Sequence, residues 1–526
     1  METMNDSHDL HLHLPYYNAI TDEPQEELRG VCDGLSHAVL VGELSPGATF
    51  WVQRLNEFIL VHKRNMSHEQ MVPLVRLLYR LVTIPNLDFN LQERFARTLT
   101  KLILKKKSLS SHLIELPWRP LYDILRTIYF GQAETTIYVQ RDKHGAAIVK
   151  LVEAARRFFP ESATREILDE FQSKLCPHDV VLFDAQGWLV LFLPTNHVEG
   201  KPTHHELWLD WVFDVWGWVR DDVSTWNGQW LRLIARLVKG QPTAEVHALL
   251  EPHLDFLFNK FLSSLNLPVG ASAAPKDHRA AMSSGAQVLL LPDGEGQHTI
   301  KRMCAIVAWL LSPEGRVIEL LRALLRATES FFHPSNSGAW QGRLAQVLYC
   351  LCSEVCDRLK KERKPQCPTP PHLRLQDPQR KAFADCMSPV LVPALFSKSH
   401  SMVMTSALAH KLLAYICPEA ILPQLLESVY PALQTLTESH QTLAALGCLC
   451  FVARPLLSKS VYPSGGEHLV NLLMLSLPGI DPNDPIKTET TFKFYRSVLQ
   501  CVRIEDISGP SFTLRAGNIH HYDPVC

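Results

Sequence analysis

Three groups of residues in this sequence have the types that metal ions bind. Cys350, Cys352 and Cys356 lie in one short segment, and His204-His205-Glu206 places two imidazoles beside a carboxylate. On a helix, however, Cys350 and Cys352 point to different faces, and the chain has no CxxC pair. The two adjacent histidines lack the four-residue spacing of helical zinc ligands. These patterns favour core cysteines and a capping or surface role for the histidines.

The third group, His8, His11 and His13, lies in a polar N-terminal segment, where weak metal binding would be incidental. No catalytic constellation accompanies these groups: there is no phosphate-binding Gly-Lys loop, no HExxH and no nucleophile elbow. We therefore predict no catalytic residue, no metal and no cofactor. Enzyme activity remains an alternative without a supporting motif.

Tryptophan is concentrated in one part of the chain, with six of the eleven between Trp208 and Trp230. Trp208 and Trp211 are three residues apart and Trp226 and Trp230 are four apart, so each pair shares a helix face. One hypothesis is a recognition surface for a peptide or an aromatic-caged cation. The alternative, which we favour, is packing of bulky side chains between helices.

Amphipathic helices follow one another from about Phe50 to about Cys501, and strand-like alternation is nearly absent. Ser67 and Gln70 form a capping box that opens a helix through Leu81. The other predicted helices are Thr49–His62, Leu91–Leu104, Pro120–Tyr129, Ala146–Phe159, Ala163–Leu175, Val180–Leu193, Leu207–Val219, Trp226–Val238, Ala244–Leu265, Thr299–Leu311, Arg316–Ser330, Trp340–Leu359, Pro378–Ala394, Ser401–Tyr415, Gln424–Leu436, Gln441–Leu456, Glu467–Leu475 and Thr491–Cys501. In pairs they give a loose period of roughly 40 to 45 residues. We predict an all-α fold, an irregular HEAT/armadillo-like α-solenoid, which offers a binding surface.

Breaks in this pattern divide the chain. We expect a flexible N-terminal arm over residues 1–28 and HEAT-like repeats over 29–265. A loop-rich insertion covers 266–298, and repeats continue over 299–502. These contain a Pro-rich surface linker at 364–378. The apolar period then stops, which predicts a disordered, divergent tail over 503–526.

Composition excludes several classes of protein. Of the 526 residues 46% are apolar, which is enough for a real core, and the net charge is -2. A nucleic-acid-binding domain usually carries a strong basic excess, so no direct nucleic-acid partner is expected. No uninterrupted apolar run approaches the roughly 18 to 20 residues of a membrane span, and the N-terminus lacks a signal peptide. We expect no membrane partner and a cytosolic or nuclear protein.

Several strings, in register along the chain, resemble one family. They are Phe50-Trp51 with Arg54-Leu55; Leu77-Leu78-Tyr79 with Val82 and Ile84-Pro85; Glu115-Leu116-Pro117-Trp118-Arg119-Pro120-Leu121-Tyr122-Asp123; Cys176-Pro177; Ser264-Leu265-Asn266-Leu267-Pro268-Val269-Gly270; Phe332-His333-Pro334-Ser335-Asn336; Tyr430-Pro431-Ala432-Leu433 with Leu436-Thr437-Glu438; and Leu477-Pro478-Gly479 with Asp481-Pro482-Asn483-Asp484. The chain resembles the large HEAT-repeat proteasome activators, the proteasome activator complex subunit 4 family. The resemblance covers nearly all of this chain and only the N-terminal portion of the family's chain.

The resemblance implies a solenoid that caps the α-ring of the core (20S) proteasome. It further implies ATP-independent degradation of peptides and acetylated histones, in nucleus and cytoplasm, with links to DNA repair and spermatogenesis. Histones or unfolded peptides would then be substrates. The family opens the gate partly through a C-terminal hydrophobic-Tyr-any motif, whereas this chain has Val525 at the tyrosine position, and Tyr522 lies too far inside. From Leu499 onward the sequence departs from the family pattern.

The expected function is a shortened, non-enzymatic scaffold without autonomous gate opening. The alternative is a transport-receptor-like scaffold for another cargo, because a fold does not fix a function. The residues that matter most are then structural anchors. Trp51 and Trp118 are expected to anchor contacts between repeats, and Pro117 and Pro120 to fix the start of a helix.

Overall fold

The computed structural model describes most of the chain, in fifteen stretches. They are residues 17–62, 66–104, 109, 112–130, 138–176, 178–179, 181–195, 204–219, 224–268, 295–313, 315–336, 338–365, 367, 369–435 and 439–502. Within these stretches the secondary structure is helical, with short 3-10 turns, a π-helical turn at Leu44–Ala48 and no β-strand. The all-α, HEAT-like fold class is therefore confirmed. Two compact units divide the chain at Trp208 and Leu209.

Unit 1 is a two-layered array of helices. Its helices are α1 (Tyr17–Val41), α2 (Thr49–His62), α3 (His68–Val82), α4 (Phe89–Ile103), α5 (Arg119–Phe130), α6 (Tyr138–Ala155), α7 (Ala163–Phe171) and α8 (Leu182–Phe192). Helices α2, α4, α6 and α8 contact one another in succession and form one layer. Each of them also packs against the helix that precedes it in the chain, which is the helix-pair unit of a HEAT repeat.

Unit 2 repeats this arrangement at greater length. Its helices are α9 (Leu209–Trp216), α10 (Ser224–Gly240), α11 (Ala244–Leu250), α12 (Leu254–Ser264), α13 (Glu295–Leu310), α14 (Val317–Thr328), α15 (Gln341–Glu362), α16 (Asp377–Leu395), α17 (His400–Ile416), α18 (Pro418–Gln434), α19 (Ser439–Leu457), α20 (Leu469–Ser476) and α21 (Pro485–Leu499). Layer A contains α10, α13, α15, α17, α19 and α21, which contact one another in that order. Layer B contains α12, α14, α16, α18 and α20, which do the same.

Several predicted helices agree closely with the observed ones. Helix α2 has both predicted ends, and the capping box is present: Gln70 N–H donates to the Ser67 hydroxyl, and Ser67 N–H donates to the Gln70 side chain. The predicted helix at 491–501 begins earlier, at Pro485. The Asp484 side chain accepts a hydrogen bond from Lys487 N–H there and caps the helix. The predicted helix at 244–265 is broken by a 3-10 turn at Glu251–His253, which contains Pro252.

The domain predictions need three corrections. Residues 17–28 of the predicted flexible arm are helical, because α1 buries Leu28, Val31 and Leu35. Helix α13 begins at Glu295, inside the predicted insertion. Within the Pro-rich segment, Leu373 and Leu375 are buried, so a surface position is wrong for them. Residues 1–16, most of the insertion (269–294) and the predicted tail lie outside the described residues.

One described helix is apolar and long enough to cross a membrane by length and composition alone. It covers His440–Leu457 in α19, and 61% of that stretch is buried inside the protein. A buried core helix meets the same criteria, and α19 packs between α17 and α21. Its apolar character therefore follows from its packing between these two helices.

The segment Leu116-Pro117-Trp118-Arg119 joins three parts of unit 1. Trp118 is 2% exposed, and its indole N–H donates to Glu166 of α7 at 2.8 Å. Its ring lies 5.7 Å from that of Phe192 in α8 and 6.3 Å from that of Phe171 in α7. Arg119 forms an ion pair with Glu170, also on α7. This segment therefore fixes the start of α5 against the next helix pair.

A buried arginine joins neighbouring helices in unit 2. Arg358 of α15 is 0% exposed, and its Nη1 donates to the carbonyls of Ala308, Trp309 and Leu311 at 2.8, 3.1 and 2.6 Å. These carbonyls lie at the C-terminal end of α13, where backbone acceptors lack partners within the helix. Nη2 donates to the Leu373 carbonyl at 2.6 Å. One guanidinium thus holds α13, α15 and the Pro-rich segment together.

Glu362 completes this network. Its carboxylate accepts hydrogen bonds from Arg358 Nε at 2.6 Å and from Leu375 N–H at 3.0 Å. Burial lowers the pKa of Arg358, and the adjacent Glu362 carboxylate opposes that shift. A buried charge left without its partner is costly, so the network depends on both residues.

We expect Trp118→Ala to lower the free energy of unfolding of unit 1 by about 3 to 5 kcal/mol, because it leaves a cavity among Phe171 and Phe192. Thermal melting followed by circular dichroism measures the effect. Trp218→Ala is the matched control, since Trp218 is 51% exposed. An equal shift for the two variants would contradict the anchoring role of Trp118.

Arg358→Met should destabilise unit 2 by about 3 to 5 kcal/mol, because it leaves Glu362 buried without its partner and three carbonyls without a donor. Urea unfolding measures the loss. Arg316→Met is the control, since the ion pairs from Arg316 to Glu251 and Asp255 are exposed and its midpoint should stay near wild type. A wild-type midpoint for Arg358→Met would show that the network is dispensable.

Candidate binding groove

The four predicted anchors occupy different environments. Trp51 is half-buried on α2, and its ring fills the space that a Cβ at Gly34 of α1 would need. Trp118 is in the core, as described above. Pro117 is exposed, and its carbonyl accepts a hydrogen bond from the Tyr79 hydroxyl of α3. Pro120 is half-buried in the first turn of α5, where a missing N–H costs no helical hydrogen bond.

The tryptophan cluster is largely internal. In unit 1, Trp208 is buried and its ring lies 5.7 Å from that of His205. In unit 2, Trp226 and Trp230 are buried on α10 with their rings edge to face at 5.4 Å. Trp211 is half-buried. Burial of three of these four side chains favours interhelical packing over the recognition surface, because a buried indole offers no face to a ligand.

Some residues of the groups that suggested a metal site lie in packed surroundings, among them His205, which is buried. Cys352 and Cys356 are buried on α15, and the Cys356 thiol donates to the Leu412 carbonyl at 3.6 Å. Burial raises the pKa of the Cys356 thiol to about 11, so the thiolate that binds metals is disfavoured. Among the described residues no three potential ligands come together at a metal-binding distance. His8, His11 and His13 lie outside the described residues.

A surface groove lies on layer A of unit 2, between α17, α19 and α21. Its volume is about 660 Å³, within the range of protein ligand sites. Val403 of α17 and Leu443, Ala444, Cys450 and Phe451 of α19 contribute to its lining. Most of the groove surface is therefore apolar.

Gly447 keeps the middle of this groove open. It lies in the interior of α19, where glycine costs about 1 kcal/mol relative to alanine. A Cβ at Gly447 would meet no atom within 4 Å, so the missing side chain exposes space on the groove surface. Its neighbours Ala444 and Cys450 are also small, which leaves a shallow channel along α19.

Charged and exposed residues form the rim of the groove. Lys398 and His400 lie at the start of α17, and Lys493 lies on α21. Lys493 pairs with Glu489 at 2.7 Å, and Glu489 is the single acidic residue in the lining that the structure describes. Ile486, which is 63% exposed, adds an apolar edge. The groove thus combines an apolar floor with a mostly cationic rim.

Sequence reasoning did not identify this groove, although two signals were present. Helices α17 and α19 contain no aspartate or glutamate, and α19 carries a glycine in its interior. Each signal has an ordinary structural explanation when taken alone. These signals indicate a groove only when the neighbouring helices are known, and hydrophobic periodicity does not predict which helices are neighbours.

The C-terminal part of the chain matches a family model. Residues 321–520 match the model described as "Proteasome activator complex subunit 4, mid HEAT repeats region". This match continues past Leu499, so it does not support the predicted departure from the family there. In the described part of that range lie α15 to α21, whose two-layer packing is the one that HEAT repeats form.

Curated relatives match nearly the whole chain. Proteasome activator complex subunit 4 of Homo sapiens is 36% identical over 507 residues, which is 94% of this chain and 26% of that protein. Subunit 4B of Danio rerio gives the same identity and coverage. Proteasome activator subunit 4 of Arabidopsis thaliana is 28% identical over 474 residues, 87% of this chain and 26% of that protein. The chain therefore spans about a quarter of the length of the relatives it matches, consistent with the predicted partial resemblance.

Two of the sequence segments that resemble the family contribute to the packing of the helices. Trp118 joins α5 to the next helix pair in unit 1, and Leu477-Pro478-Gly479 forms the 3-10 turn that follows α20. Together with identity of about a third over 94% of the sequence, this shows that the chain belongs to the proteasome activator complex subunit 4 family of HEAT-repeat proteins.

Proposed function

We propose that this chain is a non-catalytic helical-repeat scaffold that binds the core (20S) proteasome at its α-ring. The observation that carries the proposal is the 36% identity over 94% of the chain to a protein named as a proteasome activator subunit. The family is built from HEAT repeats, which present extended surfaces for binding other proteins. The groove on layer A is one such surface.

The proposal extends to the activity of the assembly. Bound to the core proteasome, the chain would take part in ATP-independent degradation of peptides and acetylated histones, in the nucleus and the cytoplasm. DNA repair and spermatogenesis are the processes in which this activity would act. The relatives with the activator name are about four times as long. We propose that the part of the family present here binds the core proteasome without opening its gate by itself.

Two measurements on the purified chain test this proposal. In a glycerol gradient the chain should co-sediment with the core proteasome, because 94% of its sequence aligns with a proteasome activator subunit. The rate of fluorogenic-peptide hydrolysis by the core proteasome should stay at its basal value when the chain is added. A HEAT-repeat protein of unrelated sequence and similar length controls for non-specific sedimentation.

Each result has a distinct meaning. Failure to co-sediment would overturn binding and favour a scaffold for another cargo. Co-sedimentation with faster hydrolysis would overturn the statement on gate opening and leave binding intact. Hydrolysis by the chain alone, without core proteasome, would contradict its non-catalytic character.

A further inference from the structure

We propose that the groove between α17, α19 and α21 binds an acidic peptide segment that carries apolar side chains. The inference concerns peptide binding by this chain and does not depend on its binding to the core proteasome. It rests on three features of the groove: its apolar floor, the charge of the layer around it, and the space at Gly447.

The floor of the groove favours a partner with apolar side chains. Val403, Leu443 and Phe451 are half-buried there, so each keeps part of its apolar surface in water. Covering that surface with apolar groups is favourable, because it removes apolar area from water. Single-stranded nucleic acids are bound through successive bases stacked on aromatic side chains, and Phe451 is the one phenylalanine, tyrosine or tryptophan in the lining that the structure describes. The apolar surface therefore favours a peptide.

The charge of the three helices that form the groove favours an acidic partner. Helices α17, α19 and α21 carry five lysines or arginines and one acidic residue; the basic residues are Lys411, Arg454, Lys487, Lys493 and Arg496. In layer B, α18 carries Glu419 and Glu427 and no lysine or arginine. The chain as a whole has a net charge of -2. On the three helices that form the groove, basic residues thus outnumber acidic ones by five to one.

Charged residues on the rim provide the preference for an acidic partner at the groove itself. Lys398 and Lys493 lie on opposite sides of the channel, at α17 and α21. A peptide along α19 would therefore meet Lys398 on one flank and the Lys493–Glu489 pair on the other, whereas its apolar residues would enter the space beside Gly447. Electrostatic complementarity of this kind raises the association rate and excludes partners of the wrong charge. A strongly basic peptide is therefore disfavoured here.

Fluorescence anisotropy with a labelled synthetic peptide tests the inference. The probe has about twelve residues, or three helical turns, with Glu and Asp between Leu and Phe. One comparison peptide has every acidic residue replaced by Lys, and a second has every Leu and Phe replaced by Ser. The first probe should bind, and both comparison peptides should bind at least about tenfold more weakly.

Variants of the full chain test whether the peptide binds in the groove. Gly447→Leu should weaken binding of the acidic probe about tenfold or more, because the new side chain fills the channel. Gly342→Leu is the matched control: Gly342 lies in α15, away from the groove, and its Cβ would also meet nothing within 4 Å. Both changes replace a helical glycine by a better helix former, so loss of folding does not explain a difference.

Charge variants give a second, independent readout. Lys398→Glu with Lys493→Glu should weaken binding about tenfold, whereas Lys360→Glu with Lys381→Glu changes the net charge equally and should have little effect. Glu489→Lys removes the acidic residue of the described lining and should tighten binding. A gain of affinity is not a result that misfolding produces.

Three outcomes would overturn the inference. One is equal affinity for the acidic and the lysine-substituted peptides. Another is equal binding by wild type and Gly447→Leu. The third is binding of a single-stranded oligonucleotide that competes with the peptide and is insensitive to Gly447→Leu, which would identify the basic layer as a nucleic-acid surface.

Discussion

The buried guanidinium of Arg358 is the interaction on which unit 2 most depends. Where a helix of a HEAT-like array ends inside the protein, close to the next helix pair, its last carbonyls need donors. Arg358 supplies these donors for α13 from the neighbouring helix of the same layer. It also binds the backbone of the Pro-rich segment that leads from α15 to α16. One side chain thereby fixes both the spacing of two helices and the path of the loop.

In unit 1, neighbouring helix pairs are connected by different interactions. There the connection between helix pairs depends on an aromatic cluster around Trp118 and Tyr122, with hydrogen bonds to Glu166 at its edge. Hydrogen bonds from Ser162 and Trp118 lower the pKa of Glu166, so its carboxylate stays ionised and remains an acceptor. Both units thus combine apolar packing with a few directed polar contacts, which set the register between repeats.

The fold class and most helices could be predicted from the sequence because they depend on local periodicity. Helix α2 and the capping box at Ser67 are examples. Helix α1 was missed because its polar first turns and Pro24 hide the apolar face that Leu28 and Leu35 form. The burial of Leu373 was missed because the Pro-rich segment has no helical period, and its position against Arg358 of α15 is a tertiary contact. The groove could not be predicted for the same reason, since three helices create it together.

The succession of contacts within each layer has a consequence for biosynthesis. Because α13, α15, α17, α19 and α21 each contact mainly the next member of the layer, most contacts between helices join elements that are close to one another along the chain. Such a topology has a low contact order, which favours fast folding. Each new helix pair finds its partner already formed on the N-terminal side. The chain can therefore gain its core in steps while it leaves the ribosome, without waiting for its last residues.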